Sequence, residues 1–344
     1  MVNRAVLLFP GQGAQYPGMA LDLYAESAAV RALFALASGA AGRDLKALLE
    51  TADADTLKRT DLSQPAITLA NLAAAAYLAE RGVEFAAAVG FFLGEYAALA
   101  VAGVLAPADC FRLVAARGRA MQAAADRLAA GDPAQAPGMA AVLGLAPESV
   151  AALIAEWSAD RPAAAGLKDL YAANFNSAGQ TVVAGSAAAL AEAEGRFKAA
   201  GAKRFIRLKV AGPFHSPLVA DAARDFAAEL AAVPFADPRL ALYSNVTGAA
   251  VASGAEARDL ALRQITEPVR WTAECAALAA LEPTAVYEAG PGKVLQGLWK
   301  ENVGTPAALA AGTVADIAAA VAAGAAVAAG AAVAAGAALA AAAV

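Results

Sequence analysis

Twice near the N-terminus a short apolar run stops at a glycine-rich turn. Val6-Leu7-Leu8-Phe9 enters Pro10-Gly11-Gln12-Gly13, and Ala86-Ala87-Ala88-Val89 enters Gly90-Phe91-Phe92-Leu93-Gly94-Glu95. Continuous apolar runs bounded by turn signals read as strands buried on both faces. Such strands need helices above and below the sheet. Helical stretches follow, from Pro65 to Leu78 and again from about Glu95. The alternation constrains the chain to an α/β fold with a parallel sheet.

Further along, Gly131 to Gly138 carries two prolines and reads as a linker. Beyond it come Met139 to Leu143 (strand), Ala146 to Glu156 (helix), Leu170 to Phe175 (strand), Gln180 to Ala184 (strand), Ala187 to Ala200 (helix) and Lys203 to Leu208 (strand). This βαββαβ order is that of a ferredoxin-like module. Strands expected at Tyr243 to Gly248 and Ala285 to Glu288 resume the first pattern, so the module is an insertion. The expected organisation is a large α/β subdomain over 1–130 and 208–316, a small ferredoxin-like subdomain over 131–207, and a tail over 317–344. The tail is low in complexity, and Val321, Val327 and Val333 repeat within uncharged Ala and Gly. Six residues advance a helix by about 600°, so these valines scatter around it and form no stripe. Ala and Gly are weakly apolar and no Lys, Arg or Trp follows, which disfavours a membrane span. A β-helix of so few repeats on an unrelated domain is a poor solenoid.

Composition removes several function classes. The 26 basic and 31 acidic residues leave a net charge of −5, without the basic excess of a nucleic-acid-binding protein. The single histidine, His215, excludes any multi-histidine metal site. Cys110 and Cys275 form no Cys-x-x-Cys pair and read as buried free thiols of a reducing compartment. Met1 to Phe9 is too short an apolar run for a signal peptide, so a cytoplasmic monomer is expected.

Gly90-x-x-x-Gly94, between a strand and a helix, is the frame of a nucleophile elbow, in which a sharp turn lifts a serine hydroxyl to the helix N-terminus. The extension Leu93-Gly94-Glu95-Tyr96-Ala97-Ala98-Leu99 narrows that reading. So do Phe9 to Gln15, Arg117-Gly118-Arg119-Ala120-Met121-Gln122, Asn174 to Gln180, Gly212-Pro213-Phe214-His215-Ser216-Pro217-Leu218, Ser244 to Gly248, Pro268 to Trp271 and Glu288 to Leu295. In this order, over roughly residues 3 to 316, these segments resemble the malonyl-CoA:acyl-carrier-protein transacylases of fatty-acid synthesis and the acyltransferase domains of polyketide synthases. An α/β-hydrolase proper fits neither the N-terminal glutamine segment nor the histidine loop nor the inserted module.

The resemblance implies a covalent relay. An elbow serine takes the malonyl group from malonyl-CoA and passes it to the phosphopantetheine thiol of acyl carrier protein, with a histidine as base and then acid. No metal and no cofactor beyond these substrates is implied. His215 matches the base, and the carbonyl of Gln264 matches the group that orients it. The N–H groups of Gln12 and Leu93 match the oxyanion hole. Arg117 matches the residue that grips the malonyl carboxylate, for which a guanidinium fork is suited. Phe214 resembles the malonyl-selecting form of its loop, and Asn176 is a further ligand-side candidate.

One departure cuts through this pattern. Where the family motif reads Gly-His-Ser-Leu-Gly, this chain reads Gly90-Phe91-Phe92-Leu93-Gly94. Phe92 has no lone pair with which to attack a carbonyl, and Phe91 replaces a second active-site histidine. The expectation is therefore an acyltransferase fold that is inactive or severely impaired. The alternative is a non-catalytic protein that binds acyl-CoA or carrier protein as a scaffold. Ser63, Ser177 and Ser216 lie off the elbow and are not expected to replace its serine. The Phe92 ring is expected to project into the acyl pocket.

Overall fold

The computed structural model describes residues 4–130, 136–159 and 167–324. Strand β1 (Ala5–Phe9) is followed by helices α1 (Leu21–Glu26), α2 (Ala28–Ala41), α3 (Leu45–Thr51) and α4 (Thr60–Glu80). Strand β2 (Phe85–Gly90) leads into α5 (Gly94–Val101) and α6 (Pro107–Ala129). The chain then builds β3 (Gly138–Leu143), α7 (Pro147–Ala159), β4 (Leu170–Ser177), β5 (Gln180–Gly185), α8 (Ala187–Ala199) and β6 (Arg204–Arg207). It returns through α9 (Ala220–Ala231), β7 (Ala241–Leu242), α10 (Gly254–Arg263), α11 (Trp271–Ala279), β8 (Ala285–Glu288), α12 (Val294–Asn302) and β9 (Ala308–Ala310).

The first sheet has the order β7-β2-β1-β8-β9, and every pairing in it is parallel. β1 sits at its centre, and all five of its residues are buried. Side chains alternate across a strand, so Leu7 and Phe9 enter one apolar cluster while Val6 and Leu8 enter the other. That is why the run is continuously apolar. Helix α4 is buried over most of its length and packs against α2 and α6, which closes one face. Trp271, Cys275, Leu295 and Trp299, from α11 and α12, close the other.

The second sheet has the order β4-β5-β3-β6 and is antiparallel throughout. With one helix after its first strand and one after its third, it has the ferredoxin-like topology. Ala140 and Val142 face α7 and α8, and Met139 and Ala141 face the larger body. The fold is thus α/β, with a parallel sheet and a separate antiparallel one.

Two expectations change. Tyr243 to Gly248 is not a strand: β7 ends at Leu242, and Tyr243 makes only an isolated bridge to Ala250. The Gly248 N–H donates to the Ser244 carbonyl at 2.7 Å, folding the segment into a turn with Gly248 at φ 66°. The tail boundary at 317 falls inside a helix over residues 314–324, in which Ile317 and Ala320 are buried in the main core. The rest of the tail, and residues 131–135 of the linker, lie outside the described residues. Cys110 and Cys275 are both buried and unpaired. Among the described residues no helix is long and apolar enough to cross a membrane.

Candidate active site

The site lies where the two sheets meet, at the carboxyl ends of β1 and β2. In open parallel sheets this edge is where ligands bind. The turn from β2 into α5 is as tight as the glycines suggest. A Cβ on Gly90 would lie 1.9 Å from the Gly94 carbonyl carbon, and one on Gly94 would lie 2.0 Å from the Phe9 carbonyl oxygen. Between them Phe92 adopts φ 57°, the left-handed region that side chains other than glycine's disfavour.

Side chains from distant segments hold this turn. Asn245 Oδ1 accepts the Phe92 N–H at 2.9 Å, and Asn245 Nδ2 donates to the Gly90 carbonyl at 2.6 Å. Gln264 Nε2 donates to the Phe92 carbonyl and to Glu95 Oε2, both at 2.7 Å. Gln264 Oε1 accepts from Arg117 at 2.8 Å. Asn245 is itself fixed by Glu274, whose two carboxyl oxygens accept its Nδ2 at 3.0 and 3.2 Å.

His215 also has a positive φ of 57°, and its N–H donates to the Ile265 carbonyl at 3.1 Å. Its Nδ1 lies 2.7 Å from the Gln264 carbonyl oxygen. Only a protonated Nδ1 satisfies that contact, so Nε2 is left as the unprotonated nitrogen. Burial, and then the charge of Arg117, push the imidazole down to about 3, so the ring is neutral. The rings of His215 and Phe92 lie 4.7 Å apart, centroid to centroid. Phe91 turns into the apolar cluster, edge-on to Trp271 at 5.1 Å and to Phe92 at 4.3 Å.

Arg117 projects from α6 into the interior and is only 2% exposed. Its guanidinium lies 5.5 Å from the Tyr96 ring centroid, and its Nε has no hydrogen-bond partner among the described residues. Burial lowers its pKa. Two acids share this interior. Burial raises Glu95 to about 7, against the opposing hydrogen bonds from Gln264, Ser244 and the Asn245 N–H. Glu274 stands well above the usual carboxylate range, because of burial and then the charge of Glu95.

A cavity of about 600 Å³ opens beside the elbow. Gln12, Phe91, Phe92, Leu93, Arg117, Asn176, Phe214 and His215 all line it, joined by Met139, Ala141 and Val182 of the antiparallel sheet. The N–H groups of Gln12 and Leu93 donate to no acceptor among the described residues. Asn176 is buried, and its Oδ1 has no partner there either. Gln264 sits behind the wall and reaches the site through His215, Arg117 and Phe92.

The acyl transferase domain family matches residues 6–324. This chain belongs to that family. It is 40% identical over 321 residues to the malonyl CoA-acyl carrier protein transacylase of Escherichia coli (strain K12), covering 93% of this chain and 99% of that protein. Among solved structures it resembles malonyl-CoA:acyl carrier protein transacylase from Xanthomonas oryzae pv. oryzae, with a TM-score of 0.83 and 36% identity over 93% of this chain and 98% of that one. A malonyl-transacylase solved in complex with its type II polyketide acyl-carrier protein gives a TM-score of 0.83 and 34% identity, over 93% of this chain and 99% of that one.

Within this acyl transferase domain, the expected residues of the N-terminal loop, elbow, arginine helix and histidine loop converge on one cavity. The three other serines do not join them. Ser216 Oγ donates to the Pro213 carbonyl at 2.6 Å, Ser63 Oγ donates to the Thr60 carbonyl at 3.4 Å, and Ser177 Oγ accepts the Gly179 N–H at 3.5 Å. None of them lines the cavity. Asn245, Glu95, Glu274 and the Gln264 side chain were missed from sequence. Glu95 lay within the elbow segment, Gln264 was expected only for its carbonyl, and Ser244-Asn245-Val246-Thr247-Gly248 carried no assigned role.

Proposed function

We propose that this acyl transferase domain is built for malonyl transfer from malonyl-CoA to the phosphopantetheine thiol of acyl carrier protein, and that the covalent half of that reaction is lost or severely impaired in this chain. In this reading His215 is the base, Arg117 grips the malonyl carboxylate, and the N–H groups of Gln12 and Leu93 meet the oxyanion. Phe214 and Asn176 shape the acyl side. The reaction calls on no resident cofactor, and the chain acts as a cytoplasmic monomer. One observation carries the proposal: the left-handed elbow position beside a neutral His215 holds a phenyl ring. A phenyl ring cannot form an acyl ester, and among the described residues no serine lines the cavity.

The test is malonyl transfer to carrier protein by this chain and by the Phe91→His/Phe92→Ser double variant. Losing a nucleophile removes several orders of magnitude of rate, while binding and the oxyanion site leave a residue. The double variant is therefore expected to exceed this chain by at least about 10³-fold. Equal rates in the two proteins would overturn the reading.

The second reading, a non-catalytic binder of acyl-CoA or carrier protein, is favoured by the cavity that stays open beside Phe92 and by the unpartnered Nε of Arg117. Titration of this chain with malonyl-CoA separates the two. Micromolar binding supports the binder and contradicts obstruction of the acyl pocket by the Phe92 ring.

A further inference from the structure

The hydrogen bonds that hold residue 92 all run through its backbone. Its N–H is taken by Asn245, 153 positions away, and its carbonyl by Gln264, 172 positions away. Neither bond involves the side chain at 92. Asn245 bridges the turn, since the same amide that accepts the Phe92 N–H also donates to the Gly90 carbonyl. Asn245 and Glu274 are both fully buried, so the bridge cannot be exchanged for water. The two Glu274 contacts fix which way the Asn245 amide points: Nδ2 must face the carboxyl and the Gly90 carbonyl, which leaves Oδ1 for the Phe92 N–H.

We propose that Asn245, oriented by Glu274, is the positioning residue that holds residue 92 in its left-handed conformation, so that the elbow keeps the backbone geometry of a nucleophile whatever side chain stands there. A phenylalanine in this conformation is strained, and a strained conformation persists only when its surroundings impose it. The N–H and carbonyl of residue 92 itself are engaged by the brace, the carbonyl also accepting the Glu95 N–H at 3.3 Å. Serine and phenylalanine are therefore interchangeable at 92 as far as the fold of the turn is concerned.

The catalytic arm of the test rests on the acyl-transfer reading above; the structural arm does not. In this chain as it stands, amide hydrogen exchange is followed at Phe92 and at Leu93, whose N–H has no acceptor among the described residues. The Phe92 amide is expected to be protected at least about 10²-fold more than that of Leu93, and Asn245→Ser is expected to abolish the difference. A serine hydroxyl is too short to span both Phe92 and Gly90, but it keeps a polar group in the space. Glu274→Gln, which keeps an oxygen for the Asn245 amide, is expected to preserve the protection. Should Asn245→Ser fail to fold, Glu274→Leu replaces it, with the same loss expected. Protection of Phe92 that survives these substitutions, or is absent from this chain, overturns the proposal.

In the Phe91→His/Phe92→Ser background, adding Asn245→Ser is expected to lower kcat by about 10²-fold with KM within about threefold, as misplacing a reacting group does. A merely structural loss would lower the fraction of folded protein and leave kcat per folded molecule unchanged, and that result also overturns the proposal. If the double variant is itself inactive, the acyl-transfer reading fails and the exchange measurement still decides on the brace.

Discussion

The two sheets solve opposite problems. The core between the antiparallel sheet and its own helices is largely apolar: Val142, Val150, Trp157, Leu170, Leu190 and Phe197 pack together, with the buried Thr181 hydroxyl on the same face. The core at the edge of the parallel sheet buries Arg117, His215, Glu95, Glu274, Asn245 and Gln264, joined by a chain of hydrogen bonds. Burying polar groups stabilises little and is costly where any is left unpaired. Arg117 Nε is one such group. One region therefore holds a shape, and the other keeps buried polar groups that contribute little to stability. A face of the first forms a wall of the second, since Met139, Ala141 and Val182 line the cavity.

This contrast breaks most directly at Arg117. In the Phe91→His/Phe92→Ser background, Arg117→Ala is expected to lower kcat/KM for malonyl-CoA on the order of 10³-fold, the loss typical of removing one partner of a buried charge pair. Discrimination against acetyl-CoA, which has no carboxylate to hold, should collapse with it. The kinetic loss should exceed the loss of stability that follows from removing its bond to Gln264 and its contact with Tyr96. Steady-state kinetics and urea unfolding on the same protein check both halves. A large loss of stability with unchanged kinetics would make Arg117 a structural residue and erase the contrast.

The mirror experiment is Leu190→Ala in the small module. Leu190 is fully buried among α7, α8 and the sheet. Its truncation is expected to cost about 3 kcal/mol through lost transfer energy and a residual cavity. Urea unfolding measures that directly. The kinetics of the folded double variant should stay within about twofold, since additivity holds for distant sites. A large change in kcat would mean that the module does more than hold a wall.

What the sequence revealed follows the same division. The apolar run of β1, the glycines of the elbow and the βαββαβ order are local patterns, and each reappears within three residues of its expected place. Arg117, Phe214 and His215 were found because each sits in a short recognisable segment. The brace was not found, because its bonds join residues 153 to 172 positions apart and no short-range pattern records them. Tyr243 to Gly248 misled for the same reason. Its apolar and polar residues mimic a strand, but Asn245 faces inward to the elbow, and the Gly248 turn is needed to aim it. Strand β9 escaped notice because Ala308–Ala310 carries no β-branched residue to mark it.

The smallest expected effect, and the sharpest test of which buried groups carry charge, is the dependence of stability on pH. A carboxyl whose folded value is raised binds its proton more tightly in the native state, so its contribution falls as pH rises from the unfolded value to the folded one. Glu95 lowers stability between 4.5 and about 7, and Glu274, raised well above 4.5 by burial and the charge of Glu95, acts in the same direction. His215 works in the opposite direction. Its folded value near 3 lies below the ordinary 6.5, so stability is lost as pH falls through that window. Between about pH 4.5 and 6.5 the slopes of Glu95 and His215 oppose, and the Glu274 slope adds to the decline. Above that, the acids stand alone, each contributing at most about 1.4 kcal/mol per pH unit. Urea unfolding of Glu274→Gln, followed upward from the ordinary carboxylate range, should show a shallower decline with pH than this chain. A decline parallel to that of the parent would mean that Glu274 is already ionised at neutral pH. The amide of Asn245 would then be held by a full negative charge beside Glu95, and Arg117 would have to be retained to balance that charge as well as to bind a substrate.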